Sequence, residues 1–409
     1  MRFPILLHVA YKAGGATRLK TLKDIDLAGK RVLMRADFNV PMDKEQNIID
    51  DTKIKAALPT INYILEQGAS LILMSHLGRP KGEKNVKYSL KPVSKHLASL
   101  IDYPIIMAPD SIGADVEGLA SKLNKGEVLL LENVRFYKEE EKNEANYANK
   151  LAELADVFVN DAFGSAHRAH ASTAGVAQKL PTFAGLLMEK EVAMLKSVLE
   201  YPESPRMAIL GGAKVVDKLG LINNLLAKLD VLLIGGGMAN TFLKAQGYNT
   251  GKSRVENELL EDAKGLLANA SKKGVKIVLP VDVVLGQDLT SDTPAIVVDI
   301  TEVPDDMMIL DIGPETIKLF QEEIAKARTI VWNGPLGVYE YEQFANGTRE
   351  VAKTMADSAA VTVIGGGDSA AAVQNMGLED KITHISTGGG ATLEFLEGLP
   401  LPGVVACNA

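Results

Sequence analysis

Four glycine runs in the second half of this chain each stand between a strand-like apolar run and a helical pattern: Gly211-Gly212, Gly235-Gly236-Gly237, Gly365-Gly366-Gly367 and Gly388-Gly389-Gly390. Without a Cβ, such a turn lets a ligand come close to the backbone. Where it feeds a helix it also aims free N–H groups and the positive dipole end at an anion. A single glycine at such a junction is more often a packing device; four of them favour a phosphorylated ligand. Lys214 and Lys218, four apart after the first run, are expected on one face of a helix start, where two ammonium groups suit a nucleotide phosphate tail. Asp368 directly follows the third run. It is the natural Mg²⁺ carboxylate, because nucleotide-bound Mg²⁺ takes only one or two, and helix N-capping is its competing role. Residues 332–340, rich in Gly and Pro, read as a loop that offers Glu340 to a ribose hydroxyl.

The first half repeats another pattern, an apolar run whose end carries a cation. Arg35, His76, Arg79, Arg135, His167, Arg168 and His170 all fall at such ends. A parallel sheet would gather them at one edge, and arginine matches phosphate and carboxylate oxygens with two N–H groups at once. The set therefore points to a small polyanion. The competing reading is a surface ion pair for any one of them, and Arg35, inside its strand, is the weakest, with a structural pairing to Asp37 as the expectation. A metal at His76 or His170 is disfavoured, since no second ligand stands at helix-face spacing.

Two weaker signals are set aside. Residues 247–253 imitate a P-loop but have one residue too few between the glycines and follow a helical segment. Gly365-x-Gly367-x-x-Ala370 fits a relaxed dinucleotide fingerprint, but no acid closes a second strand about 20 residues on, as that motif requires.

These side chains need a scaffold of alternating strands and helices. Strand-like runs at residues 31–39, 70–74, 128–131 and 157–159 alternate with helical-period stretches at 53–67 and 144–155, which argues for βαβ units and a parallel sheet. Residues 189–200 are amphipathic and run into the breaker segment 201–205. The expected fold is α/β, with two doubly wound parallel-sheet (Rossmann-like) domains joined by a hinge helix. The expected division is an extension over 1–18, a first domain over 19–186 plus 401–409, a hinge helix and linker over 187–206, and a second domain over 207–400. The acidic stretch 138–144 reads as a solvated loop and helix start, and the first 18 residues as a disordered extension.

Composition narrows the partners. A net charge of −8 over 409 residues gives no global attraction to nucleic acid, so an anionic ligand needs local positive charge. The single cysteine, Cys407, excludes a disulfide framework within one chain and fits a reducing compartment. No apolar run approaches the ~18 residues of a membrane span.

Several segments together resemble phosphoglycerate kinase: residues 37–41, 76–80, 132–136, 161–172, 211–215, 332–335, 365–369 and 386–391, in that family's order from about Leu19 to the C-terminus. The resemblance implies an enzyme of glycolysis moving a phosphoryl group between 1,3-bisphosphoglycerate/ADP and 3-phosphoglycerate/ATP, with Mg²⁺, by in-line transfer on closure of a cleft. It implies that Asp37, Phe38, Asn39, Lys53, His76, Leu77, Gly78, Arg79, Arg135 and Arg168 hold the glycerate. Gly212, Ala213, Lys214, Lys218, Gly236, Gly237, Glu340, Gly366, Gly367, Asp368 and Ser369 would hold the nucleotide, with Asp368 on the metal. Lys53, Lys214 and the amides of Gly388, Gly389 and Gly390 would face the transferring group. The last residues are expected to return to the first domain, and the chain to act as a monomer in the cytoplasm.

One position departs from the family pattern. Lys53 stands where the family has an arginine thought to bridge the substrate carboxylate and the transferring phosphoryl group. Lysine keeps the charge and loses the two-pronged geometry. The neighbouring Asp50-Asp51 is expected to keep Lys53 charged and to hold it. The rival readings are an NAD-dependent oxidoreductase, from the fingerprint at Gly365, and a non-catalytic phosphometabolite-binding protein, from Lys53.

Overall fold

The structure is a computed structural model that describes residues 18–200, 202–290 and 292–408, so the expectation for the first 17 residues lies outside the described part. The chain divides into two compact units. The first comprises residues up to Asp161, Ala169–Glu189 and Pro402 onward; the second comprises Ala162–Arg168 and Lys190–Leu401.

In the first unit, β1 (Arg31–Arg35), β2 (Ser70–Met74), β3 (Ile105–Met107), β4 (Val128–Leu130), β5 (Val157–Asn160) and β6 (Thr182–Ala184) form one sheet in the order β3-β4-β2-β1-β5-β6. All its pairings are parallel. Side chains alternate faces along a strand, and both faces of this sheet are covered. Val32, Met34, Leu71 and Leu73 enter one core with Ile54, Ile61 and Ile64 of the helix Thr52–Glu66. Leu33, Ile72 and Met74 enter a second core with Leu151 and Phe158. Two-sided burial is why Ser70–Met74 reads as a continuous apolar run rather than an alternating one. The C-terminal segment closes onto this unit: Lys20 N–H donates to the Cys407 carbonyl at 2.7 Å, and Asn160 Nδ2 donates to the Gly403 carbonyl at 3.2 Å.

The second unit holds β7 (Arg206–Leu210), β8 (Val231–Ile234), β9 (Lys276–Val278), β10 (Asp282–Gly286), β11 (Ile296–Asp299), β12 (Met308–Ile312), β13 (Thr329–Asn333), β14 (Val361–Gly365) and β15 (His384–Ile385). Its six-stranded parallel sheet runs β15-β14-β13-β7-β8-β9. A separate antiparallel sheet, β11-β10-β12, was not anticipated from sequence. In each parallel sheet the strand order reverses at one point, between β1 and β5 and between β7 and β13. At such points the loops part to leave a crevice at the carboxyl edge.

Several local expectations need correction. The stretch 138–144 is not simply solvated: Glu140, in the short helix Lys138–Glu141, is fully buried. Trp332 and Asn333 belong to β13, and the loop begins only at Gly334. The run after Gly211-Gly212 does not become helical at once. Lys214 lies in irregular chain between bends at Ala213 and Val215, and Lys218 ends a 3₁₀ turn, with the helix starting at Leu219. The helix Leu186–Glu200 does form, with Met188, Val192, Leu195, Val198 and Leu199 buried, and the chain passes from one unit to the other within it.

Candidate functional site

In the first unit the candidate residues collect on the loops after β1, β2 and β4. Asp37 is nearly buried. Its carboxylate takes the Asn39 N–H at 3.1 Å and the Lys53 ammonium at 2.8 Å. Lys53 is thus held by Asp37 and not by the acidic pair beside it. Asp50 accepts from Thr52 N–H, while Asp51 pairs with Lys55 at 3.0 Å and with His96 at 2.9 Å. The loop after β2 is tied to the loop after β1 by Gly78 N–H donating to Asn39 Oδ1 at 2.8 Å. Gly78 has φ +60°, and a Cβ there would lie 2.5 Å from the Tyr88 ring, so only glycine fits.

The cations of this set differ in freedom. Arg79 is exposed and makes no hydrogen bond or ion pair among the described residues. Arg135 is buried, with one guanidinium N–H on the Gly78 carbonyl at 2.9 Å and its Nε 3.3 Å from Glu141. Arg35 is structural. It is 1% exposed, donates to Ser172 Oγ at 2.8 Å and to the Ala36 carbonyl, and lies 3.1 Å from His76 Nδ1. Ser172 Oγ donates on to Glu140 at 2.6 Å, so the buried carboxylate faces the buried guanidinium through one hydroxyl. Burial pushes the Glu140 carboxyl up, while Arg35 and the Ser172 donors pull it down only in part. No group of three or more His, Cys, Asp or Glu side chains is placed to hold a metal among the described residues.

In the second unit the glycine runs meet around the β7/β13 reversal. Gly211 N–H donates to the Asn333 carbonyl at 2.9 Å, Gly212 N–H to Pro335 at 2.8 Å, Gly236 N–H to Leu336 at 3.0 Å and Met238 N–H to Gly212 at 2.9 Å. Gly236 has no space for a Cβ, which would lie 2.7 Å from both Gly212 N and the Pro335 carbonyl. Gly212 (φ +94°) and Gly389 (φ +53°) are different: the backbone conformation calls for glycine, yet nothing lies within 4 Å of where a Cβ would point. That open backbone can accept a ligand. Helices start at Gly236, Gly367 and Gly390, each leaving its first-turn N–H groups without helical acceptors.

The charges follow this edge. The Lys218 ammonium donates to Asn333 Oδ1, and burial pushes its pKa down against the pull of Asp217, Glu397 and Asp368. Lys214 is half-buried and has no ion pair among the described residues. Asp368 is exposed in the first turn of its helix with no hydrogen-bond partner there. A single accessible carboxylate beside a glycine turn fits Mg²⁺ carried in on a nucleotide. Ser369 Oγ accepts the Gly334 N–H at 2.7 Å, which fixes this helix start against the loop after β13. Glu340 is exposed in that loop. Arg168 Nε donates to His167 Nε2 at 3.1 Å, and that ring lies 3.7 Å from where a Gly390 Cβ would point, so Arg168 belongs to the second unit's fourth glycine turn.

Two residues here escaped the sequence reading. Asn333 Nδ2 is buried without an acceptor among the described residues and lies 3.0 Å from where a Gly366 Cβ would sit. It is a spare donor at the third glycine turn. Glu191 fixes the fourth turn, accepting from Ser386 Oγ, Thr387 N–H and Thr387 Oγ1, each at 2.8 Å, with His384 Nε2 also at 2.8 Å. Burial pushes the Glu191 carboxyl up, but the His384 contact and these donors outweigh it and hold it below the usual range. Nothing local marks Glu191 among its charged helical neighbours, whereas Asn333 could have been found had residues 329–333 been read as strand.

A family model described as phosphoglycerate kinase matches residues 22–399. Phosphoglycerate kinase of Pelotomaculum thermopropionicum is 55% identical over 387 residues, which is 95% of this chain and 98% of that protein. The cytosolic phosphoglycerate kinase of Triticum aestivum is 55% identical over 392 residues, covering 95% and 98%. The structure of phosphoglycerate kinase from Coxiella burnetii superposes with a TM-score of 0.86 at 44% identity, covering 95% of this chain and 99% of that one.

Proposed function

This chain belongs to the phosphoglycerate kinase family and catalyses glycolytic phosphoryl transfer between 3-phosphoglycerate and ATP, and on that premise we propose how its own residues divide the work. Asp37, Phe38, Asn39, Lys53, His76, Leu77, Gly78, Arg79, Arg135 and Arg168 bind the glycerate. Gly212, Ala213, Lys214, Lys218, Gly236, Gly237, Glu340, Gly366, Gly367, Asp368 and Ser369 bind the nucleotide. The observation that carries this reading is the open, glycine-only backbone at Gly212, two residues before Lys214, and at Gly389.

The acceptor in the ATP-consuming direction is a carboxylate, already ionised at neutral pH, so no general base is required. What the protein must supply is in-line positioning and neutralisation of charge on the phosphoryl oxygens. Lys214 and the amides of Gly389 and Gly390 are suited to the second task, with the Gly388 N–H, which donates to Ser386 Oγ at 3.2 Å, beside them, and Asn333 Nδ2 adds a donor. Asp368 is the carboxylate that would hold Mg²⁺ carried in on the nucleotide, and the ion would supply positive charge to offset that of the phosphate oxygens. Lys53, steadied by Asp37, presents its ammonium to the acceptor carboxylate. The reading carries with it a step that brings the two bound substrates in line, with the helix Leu186–Glu200 as the hinge, and action as a cytoplasmic monomer. No helix among the described residues is long and apolar enough to cross a membrane.

A coupled assay with 3-phosphoglycerate, MgATP and a dehydrogenase readout tests the proposal. NADH oxidation should depend on all three of the glycerate, ATP and Mg²⁺. Turnover that persists in Asp368→Ala at unchanged Mg²⁺ dependence removes the metal assignment.

A further inference from the structure

Against the loops that carry Asn39 and Gly78 the first unit has a cavity of about 420 Å³ that is open to solvent, within the size range of small-molecule sites. Of the residues proposed for the glycerate, Asn39, Leu77 and Gly78 line it, but none of the arginines and neither His76 nor Lys53 does. Its cations are Lys44 and Lys87, both exposed and without an ion pair among the described residues. The one carboxylate in the lining, Asp43, is turned to its own loop. It accepts the Asn47 N–H and side-chain amide, each at 2.8 Å, and those bonds hold its pKa low. It therefore leaves both ammonium groups unmatched.

The walls are of another kind. Val40 and Leu77 are buried, Met42 is partly buried, and the Tyr88 ring stands beside them with the Lys87 ammonium 5.7 Å from its centroid. Gly78, which has no room for a Cβ against that ring, seats Tyr88 in the wall. An antiparallel bridge between Met42 and Ile48 closes the loop that bears Lys44, so both cations sit on structured chain. An apolar chamber with an aromatic face and two unmatched ammonium groups suits a small organic anion with a flat apolar body, such as an aromatic carboxylate or sulfonate.

We propose that this chamber is a second ligand site, adjoining the glycerate residues Asn39, Leu77 and Gly78 and separate from the nucleotide residues, taking such an anion between Tyr88 and the Lys44 and Lys87 ammonium groups. The probe is the dye 1-anilinonaphthalene-8-sulfonate, followed by its fluorescence in the full-length protein without nucleotide or glycerate. Because the readout needs no turnover, its failure is separate from failure of the kinase reading. One saturable site is expected in the wild type. Lys44→Gln/Lys87→Gln should weaken it by at least ~10-fold, the order expected on losing charge-assisted contacts, and leave the melting temperature unmoved. Arg79→Ala should leave dye affinity as it was. Unchanged affinity in the double variant marks adventitious dye binding only and overturns the proposal. So does an equal loss in Arg79→Ala, which would place the dye among the arginines.

Discussion

At the scale of single residues, the second unit's two lysines have unlike surroundings. Lys218 is already engaged by Asn333, whereas Lys214 has no ion pair among the described residues. Lys214 is thus the better candidate for a contact made late, to charge that develops on the transferring group. Lys214→Ala is expected to lower kcat by at least ~10²-fold with a modest change in KM, the pattern of an interaction realised in the transition state. Near-wild-type turnover would sink that role. Lys53 poses a sharper question because its ammonium already donates to Asp37 at 2.8 Å, which leaves it fewer donors for the substrate. A guanidinium has five N–H donors and can keep that contact while offering others to a carboxylate and a phosphoryl oxygen. Lys53→Arg should therefore raise kcat, and Lys53→Ala should cut it by ~10-fold or more, as for a lost electrostatic clamp. Equal turnover in all three proteins would show that position 53 does not touch the chemistry.

At the scale of elements, two buried carboxylates tie loops to helix starts. Asp161 follows β5 and accepts the Leu187 and Met188 N–H groups at 2.9 and 3.2 Å, at the start of the helix Leu186–Glu200. Asp311 in β12 accepts the Gly347 N–H at 2.8 Å, at the start of the helix Asn346–Asp357. Burial pushes both up to about 7 against these donors. The unfolded carboxyl titrates near 3.9, so between roughly pH 4 and 7 the folded chain holds more protons than the unfolded one. Stability is then fully favoured below the unfolded value and falls as pH rises toward 7. The urea midpoint should decline over that window, and Asp161→Asn should flatten the decline; an unchanged slope in the variant would count against a raised Asp161. Neither carboxylate's burial was legible in the chain, because both lie at a strand's end, where an acid is as often solvated. The parallel strands were legible, since two-sided burial writes itself as unbroken apolar runs such as Ser70–Met74. The antiparallel β10–β12 sheet was missed, for β11 is largely exposed and carries no such run. The glycine turns were legible by type, but helix spacing was wrongly extended to Lys214, because periodicity cannot show the bend that precedes Leu219. Glu140 was lost for a related reason: a charge run looks solvated until a distant strand presents a buried partner, here Arg35.

At the scale of the whole molecule, each unit has its own hydrophobic core and its own parallel sheet. All the proposed glycerate residues except Arg168 belong to one unit, and Arg168 and the proposed nucleotide residues belong to the other. A defect in one set should therefore leave the other ligand's intrinsic binding intact. Arg135 alone is a poor probe of this, because its guanidinium also supports the Gly78 carbonyl and faces Glu141. Removing it disturbs the loop as well as the ligand. Arg79 is exposed and has no such duties, so Arg79→Ala isolates the ligand contact. Calorimetry should show 3-phosphoglycerate binding weakened by about 1.5–3 kcal/mol in Arg79→Ala, the range for a lost hydrogen bond to a charged group, with ADP affinity and melting temperature unchanged. Arg135→Ala should weaken the same ligand and also lower the melting temperature, because a buried carbonyl loses its donor. Equal losses for both ligands in Arg79→Ala would contradict the division of labour, and a fall in its melting temperature would show that Arg79 supports the loop after all.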